Sequence, residues 1–232
     1  MNEVRRRIAG EAWAFRARVE EEATLRFNRL AGAIAAFDPD SPVPALMRRA
    51  AEDERRHAAL CAGLAAFYGH PVESGRDAPI APAHLSPRAA ILYEVVAACC
   101  ITETESVTTL TTLLAEALDP RVRSVLHEIA RDEVTHGRMG WAHMAREAAS
   151  SDVSFLSPFI PAMLAGAAGD GLFAPVDPEL ESEDLPRDGV LPHSKKRAIF
   201  TGTLEGVVLP GLEKFGIDAG PARAWLAAMA AR

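Results

Sequence analysis

The sequence is poor in cysteine, in aromatics and in long apolar runs, and each shortage closes off a class of protein. Its three cysteines, Cys61, Cys99 and Cys100, show no paired CxxC spacing, which argues against a disulfide framework and against a structural zinc site. They read as small core residues. Aromatics make up only 6% of the chain, while alanine and leucine dominate its apolar residues. Strands draw on β-branched and aromatic side chains, so this balance predicts an all-α fold.

No apolar run approaches the length of a membrane span, and the leading "MNEVRRRIAGEAWAFRARVEEE" carries charge throughout instead of the apolar centre of a signal peptide. A cytoplasmic protein with no membrane partner is expected. Acidic residues outnumber basic ones, 32 to 25, for a net charge of −7, and no basic run stands ready to neutralise phosphates. Nucleic acid is therefore not an expected partner.

Helix punctuation is what the sequence does have. A first helix is predicted from about Glu3 to Phe37, ended by "DPDSPVP", and a second from Pro44 to Tyr68, stopped by Gly69. A third spans roughly Pro87 to Leu118, and Asp119-Pro120 opens a fourth that runs to about Ala149. Between the second and third lies the long, proline-rich "GHPVESGRDAPIAPAHLSP". A helix of some 20 to 25 residues is about 30 to 38 Å long, and a chain extends by up to about 3.6 Å per residue, so this connection can travel the length of a bundle. Short, long, short connections describe two antiparallel hairpins joined by one crossover.

The domain reading is thus a four-helix bundle over residues 1–150, followed by a helical C-terminal extension, 151–232, packed on it. The extension opens with the apolar "VSFLSPFIPAMLAGA", continues through the polar loop "DPELESEDLPRDGVLPH" and a longer helix, "SKKRAIFTGTLEGVVLPGLEKFGI", and closes with a helix from Pro221 that holds Trp225. Such helices need a packing partner to be stable in water.

Periodicity assigns the buried faces. On the first helix the stripe Phe15, Val19, Ala23, Arg26, Leu30, Ile34 and Phe37 passes close to Glu22, with Glu20 nearer its edge as the second choice. On the third, Val95, Cys99, Leu110, Leu113, Leu114 and Ala117 share a face with Glu103. The second helix aligns His57, Cys61, Leu64 and Tyr68 beside Glu54, and the fourth aligns Val125, Ile129, Glu133, His136, Gly140 and His143. Every helix carries an acidic residue inward, and two add a histidine.

Glu-x-x-His occurs twice, as Glu54 to His57 and as Glu133 to His136, each on the second helix of a predicted hairpin. Glu22 precedes Glu54 by 32 residues and Glu103 precedes Glu133 by 30, so the hairpins read as a structural repeat. Buried carboxylates without compensation cost several kcal/mol each. Two divalent cations supply the missing charge, and mixed oxygen and nitrogen ligands without thiolate suit iron or manganese.

The set Glu22, Glu54, His57, Glu103, Glu133 and His136 resembles the ferritin-like di-iron carboxylate superfamily, which includes rubrerythrins, bacterioferritins and di-iron oxygenases. The resemblance covers residues 1–150. It implies a ferritin-like bundle holding two Fe ions, or Mn or a mixed Mn/Fe pair, with Glu54 and Glu133 bridging, Glu22 and Glu103 terminal, and His57 and His136 each on one metal. The four glutamates would be the catalytic set.

"DERRH" further matches the family form Asp-Glu-x-Arg-His, in which the aspartate orients a ligating imidazole from the partner helix and the arginine joins that network. The counterpart "DEVTH" keeps Asp132 but has Thr135 where the arginine would stand. Other departures narrow the resemblance. The three cysteines cannot form the rubredoxin-like site that a rubrerythrin normally carries, and Ile129 stands where N-oxygenases place a seventh ligand. His143 reads either as a core histidine or as an outer group of the same site. Cys61 and Cys99 are displaced in opposite directions along the bundle, which disfavours a disulfide between them.

The function this implies is a di-iron oxidase or oxygenase that activates O₂ to oxidise a small organic molecule beneath the C-terminal cover. It leaves room for an external electron donor and for pairing into a homodimer. The rival is a ferroxidase, iron-handling or peroxide-scavenging protein with no organic substrate.

Overall fold

The computed structural model describes residues 2–231, and among them there is no β-strand. Helix α1 is Glu3–Phe37 and α2 is Val43–Tyr68. The third long helix is α3, Pro87–Val95, continued by a π-helical segment, Val96–Thr102, and by α4, Glu103–Glu116. Helix α5 is Pro120–Ser150. Beyond it come α6, Ile160–Ala168, α7, His193–Thr203, a second π segment, Leu204–Val208, α8, Leu209–Glu213, and α9, Gly220–Ala230. The all-α expectation holds, and the first four helix spans lie within a few residues of their sequence signals.

Those signals act as expected. Asn2 caps α1 by accepting from Arg5 N, and Ser86 caps α3 from Ala89 N with Pro87 in the first turn. Gly69, at φ 85°, ends α2 in a left-handed turn closed onto the carbonyls of Ala65 and Ala66. Asp119 accepts from Arg121 N at 2.8 Å at the start of α5.

The chain forms two compact units that interleave along the sequence. The first takes residues 1–79, 110–135 and 177–192, and the second takes 80–109, 136–176 and 193–232.

In the first unit the crossover runs along α1. A Cβ at Gly10 would lie 2.9 Å from His70 Cβ, whereas Gly75 approaches the backbone between Arg18 and Glu22. Helix α1 rises roughly 16 Å between those levels. The five residue-to-residue steps from His70 to Gly75 reach at most about 18 Å, so this segment is nearly fully extended. Gly75 N donates to Glu21 Oε2 at 2.7 Å, and Asp77 accepts from Arg29 at 2.5 and 3.2 Å. Residues 177–192 return to the same unit, where Trp13 Nε1 donates to the Asp188 carbonyl (2.9 Å), Tyr68 OH donates to Asp188 Oδ1 (3.1 Å), and Arg5 Nε pairs with Oδ2 (2.6 Å). The sequence offered no signal for this buried aspartate beyond a polar loop.

The second unit has its own apolar core. Leu92, Tyr93, Val96, Cys100 and Ile101 meet Leu156, Ile160, Met163 and Leu164, with Phe200, Leu204, Val208, Leu212 and Leu226 closing the cluster. Full burial of each such side chain contributes about 1.5–3 kcal/mol. Trp141 of α5 stacks on Phe215, with centroids 6.4 Å apart, and its indole N–H donates to Thr104 Oγ1. Gly140 lets α5 approach the π segment so closely that a Cβ there would overlap Cys99.

Candidate metal centre

Helices α1, α2 and α5 each deliver an acidic group to one place in the first unit. Glu20, Glu54, His57 and Glu133 each offer a ligand atom, and these atoms all lie within 4.8 Å of one another. Ligands on opposite sides of an ion bound at about 2.0–2.2 Å stand some 4–4.4 Å apart, so the group matches the span of a coordination shell. Glu54 is 1% exposed, His57 0% and Glu133 2%.

His57 organises the group. Its Nδ1 lies 3.2 Å from Glu54 Oε2, 3.8 Å from Glu133 Oε1 and 4.0 Å from Glu20 Oε2. On the other side Nε2 is 3.2 Å from Asp132 Oδ2. Burial works to raise the Asp132 carboxyl, but hydrogen bonds from Arg131, His57 and Arg56 outweigh it and hold the pKa at about 2. An ionised carboxylate can only accept, so Nε2 is the donor of that bond and Nδ1 faces the three carboxylates. Three carboxylates around one ring nitrogen call for positive charge among them. A proton on Nδ1 supplies one unit and two divalent ions supply four, so a donor set of carboxylates and imidazole fits metal.

Glu22 is not brought to this place, and Glu20 is. Glu22 pairs with Arg18 at 3.0 Å and lies against Gly75, beside a polar surface pocket lined also by Glu73, Ser74 and Arg76. The reason is helical phase. Seven residues fall only about 20° short of two turns, so Trp13, Glu20, Phe27 and Ile34 share one line. Trp13, Phe27 and Ile34 are buried there, at 0%, 0% and 2% exposure. Phe15 and Phe37, which set the phase in the sequence reading, are more than half exposed, at 54% and 53%. The heptad Trp13, Glu20, Phe27, Ile34 is the signal that could have located Glu20.

Glu103 and His136 belong to the second unit, and both are buried. Glu103 opens α4 directly after the π segment, where Thr102 Oγ1 donates to the Ala97 carbonyl five residues back. Such π turns are frequent at functional positions. A Cβ at Gly137 would stand 4.0 Å from the Glu103 Cβ, so the turn of α5 holding His136 faces the first turn of α4. His136 sits one turn after Glu133 on that same helix.

In the outer contacts the aspartate that meets an imidazole is Asp132 of "DEVTH", on His57 of α2, and the arginine that joins it is Arg56 of "DERRH". Arg56 bridges Asp53 Oδ1 at 3.0 Å and Asp132 Oδ2 at 2.5 Å, tying α2 to α5. Arg131, absent from the sequence reading, also binds Asp132, from Nε to Oδ1 at 3.1 Å. His143 is buried in the second unit on the same face of α5, 4% exposed. The three cysteines are buried and none is in a disulfide. Burial first, then the charges of Glu20, Glu54 and Glu133, push the Cys61 thiol well above its ordinary pKa against the opposing Arg16, which keeps it a neutral packing group.

Two comparisons with known proteins bear on this geometry. The family model described as Rubrerythrin matches residues 14–144, a span that includes all of α2 to α4 and both Glu-x-x-His pairs. No curated protein matches the chain.

Proposed function

The chain belongs to the rubrerythrin family, a family of ferritin-like di-iron carboxylate proteins, and from that premise we propose that its buried glutamates and histidines hold two iron ions in a non-haem di-iron oxidase or oxygenase. The family match lies on the helical segment and needs no cysteine site; Cys61, Cys99 and Cys100 have no part in the proposal.

Glu20, Glu54, His57 and Glu133 would hold metal in the first unit, and Glu103 and His136 of the second unit are the further proposed ligands. The observation that carries the reading is the His57 imidazole, whose Nδ1 faces three carboxylate oxygens at 3.2 to 4.0 Å while Asp132 holds the opposite nitrogen. A bound pair of irons supplies the redox chemistry toward O₂ or peroxide that no side chain here provides. The chain's own part is to fix ligand orientation through Asp132 and Arg56 and to exclude water. Manganese, alone or mixed with iron, suits the same donors.

An organic substrate is favoured by the apolar setting of the second unit. Cys100 and Ile101, three and two residues before Glu103, share one apolar core with the C-terminal helices. Ferroxidase or peroxide-scavenging activity without an organic substrate is the second reading, favoured by the family match itself.

Metal analysis after anaerobic reconstitution with Fe(II), followed by O₂ uptake with a chemical reductant and a panel of small apolar organic molecules, tests both readings. Oxygen uptake that continues with an organic molecule once added Fe(II) is exhausted supports the oxygenase. Uptake that stops when Fe(II) is consumed favours the second reading, and fewer than one ion bound per chain rejects the metal centre altogether.

A further inference from the structure

We propose that the cavity between α1 and the crossover is a binding site for a zwitterionic ligand, a free α-amino acid, separate from the metal centre and independent of the di-metal reading.

The cavity lies within the first unit and measures about 690 Å³, inside the range of about 300–1,000 Å³ common to small-molecule sites. Arg18 and Glu22 line it from α1, and Glu73, Ser74 and Arg76 line it from the crossover. Glu20 turns to His57, and Glu22 stands about 200° further round the same helix, so the cavity and the metal centre occupy different faces of α1.

The backbone on either side of the cavity is fixed before any ligand arrives. Gly75 N donates to Glu21 Oε2 at 2.7 Å, and a Cβ at Gly75 would lie 2.6 Å from the Arg18 carbonyl oxygen, so the crossover sits directly on the helix. Two residues on, Asp77 pairs with Arg29 and with Arg26. Binding to a framework held in this way loses little conformational freedom.

The charges in the cavity are not all matched from within. Arg18 and Glu22 pair with each other at 3.0 Å. The side chains of Glu73 and Arg76 make no hydrogen bond or ion pair with any other described residue, although both line the same space. The cavity thus holds one closed ion pair and one open pair of opposite charges.

Charge then selects the ligand. Two guanidiniums and two carboxylates leave the lining without net charge, which favours neither a plain anion nor a plain cation. A molecule with a carboxylate and an ammonium on one short frame meets both open groups. Arg76 can take the carboxylate through two parallel N–H···O bonds, Glu73 accepts from the ammonium, and the Ser74 hydroxyl serves either end. These side chains are exposed, where a single ion pair contributes little, so engagement of both ends is what makes binding selective.

The test is a titration of the whole chain at low ionic strength with each of the common L-amino acids, followed through the amide NMR resonances of Ser74, Gly75 and Arg76. Acetate, methylammonium, succinate and putrescine serve as controls that carry one charge or two of the same sign. At least one amino acid should give saturable shifts and bind about 5-fold or more tightly than any control. Arg76→Gln and Glu73→Gln should each weaken that binding by about 5-fold, with circular dichroism and Tm unchanged. Absence of saturable shifts with every amino acid, a control that binds as tightly, or an affinity indifferent to both substitutions overturns the site. All of these outcomes leave the di-metal reading untouched, because the titration requires no metal.

Discussion

Glu20, Glu21 and Glu22 stand in a row on α1, and three consecutive carboxylates have three separate fates. Glu21 accepts from Gly75 N and Glu22 pairs with Arg18, both on the side where the crossover lies, while Glu20 turns inward to His57. The distinction is a matter of 100° per residue and could be drawn from the sequence by weighting Trp13, Phe27 and Ile34 over Phe15 and Phe37. What the sequence withheld is that Phe15 and Phe37 are exposed. Glu20→Gln should therefore weaken metal binding by about 10-fold or more, since a lost ligand exceeds the effect of a lost outer group. Glu22→Gln should leave metal affinity unchanged. Parallel Co(II) titrations of the two variants check this, and equal weakening would return Glu22 to the ligand set.

The helices of the first 150 residues follow from local chemistry, because each end carries a residue whose backbone or side chain stops or starts a helix. Asp119 illustrates how much such a residue contributes. Hydrogen bonding to Arg121 holds its carboxyl below its ordinary pKa, with the backbone N–H groups of Arg121 and Val122 acting in the same direction against burial. A carboxylate depressed in the folded state contributes stability that is present above its unfolded pKa, about 3.9, and is lost as pH falls through the lower folded value. Asp119→Ala should thus lower unfolding stability by about 1 kcal/mol at pH 7, with the difference shrinking below about pH 4. Asp119→Asn, which still caps, should retain most of the stability and lose the pH dependence. Urea unfolding of the three proteins across pH 2.5–7 measures both effects. The π segment at Val96–Thr102 is the element that local rules did not give. Its widened turn depends on Gly140 and on the Thr102 to Ala97 bond, and the first of these is a neighbour in space only.

For the molecule as a whole, the buried carboxylates of the centre link metal to folding. An ion that binds the native state alone stabilises it by mass action, about 2.7 kcal/mol at a hundredfold excess over its dissociation constant. Adding Fe(II) or Mn(II) anaerobically should raise the Tm, and chelation should reverse the rise. Glu54→Ala should abolish the response, and a Tm indifferent to metal in wild type would count against a centre built into the core. Whole-molecule organisation was less legible than the helices. A division at residue 150 follows the sequence from bundle to extension, whereas the contacts interleave: 177–192 join α1 and α2 through Asp188, and 193–231 join α3 and the second half of α5. Among the described residues, no helix is long and apolar enough to cross a membrane.

The sequence by itself determined the helices, their order, the single extended crossover and five of the six residues proposed as ligands. These rest on spacing along one chain, on caps, prolines and the repeat of Glu-x-x-His, which act over a few residues and are written there. The tertiary structure decided which of three adjacent glutamates on α1 turns to His57, which carboxylate holds Nε2, and where the loop at Asp188 docks. Those outcomes depend on which face of a helix a neighbour covers, a contact between residues up to 175 positions apart, and spacing along the chain carries no record of it.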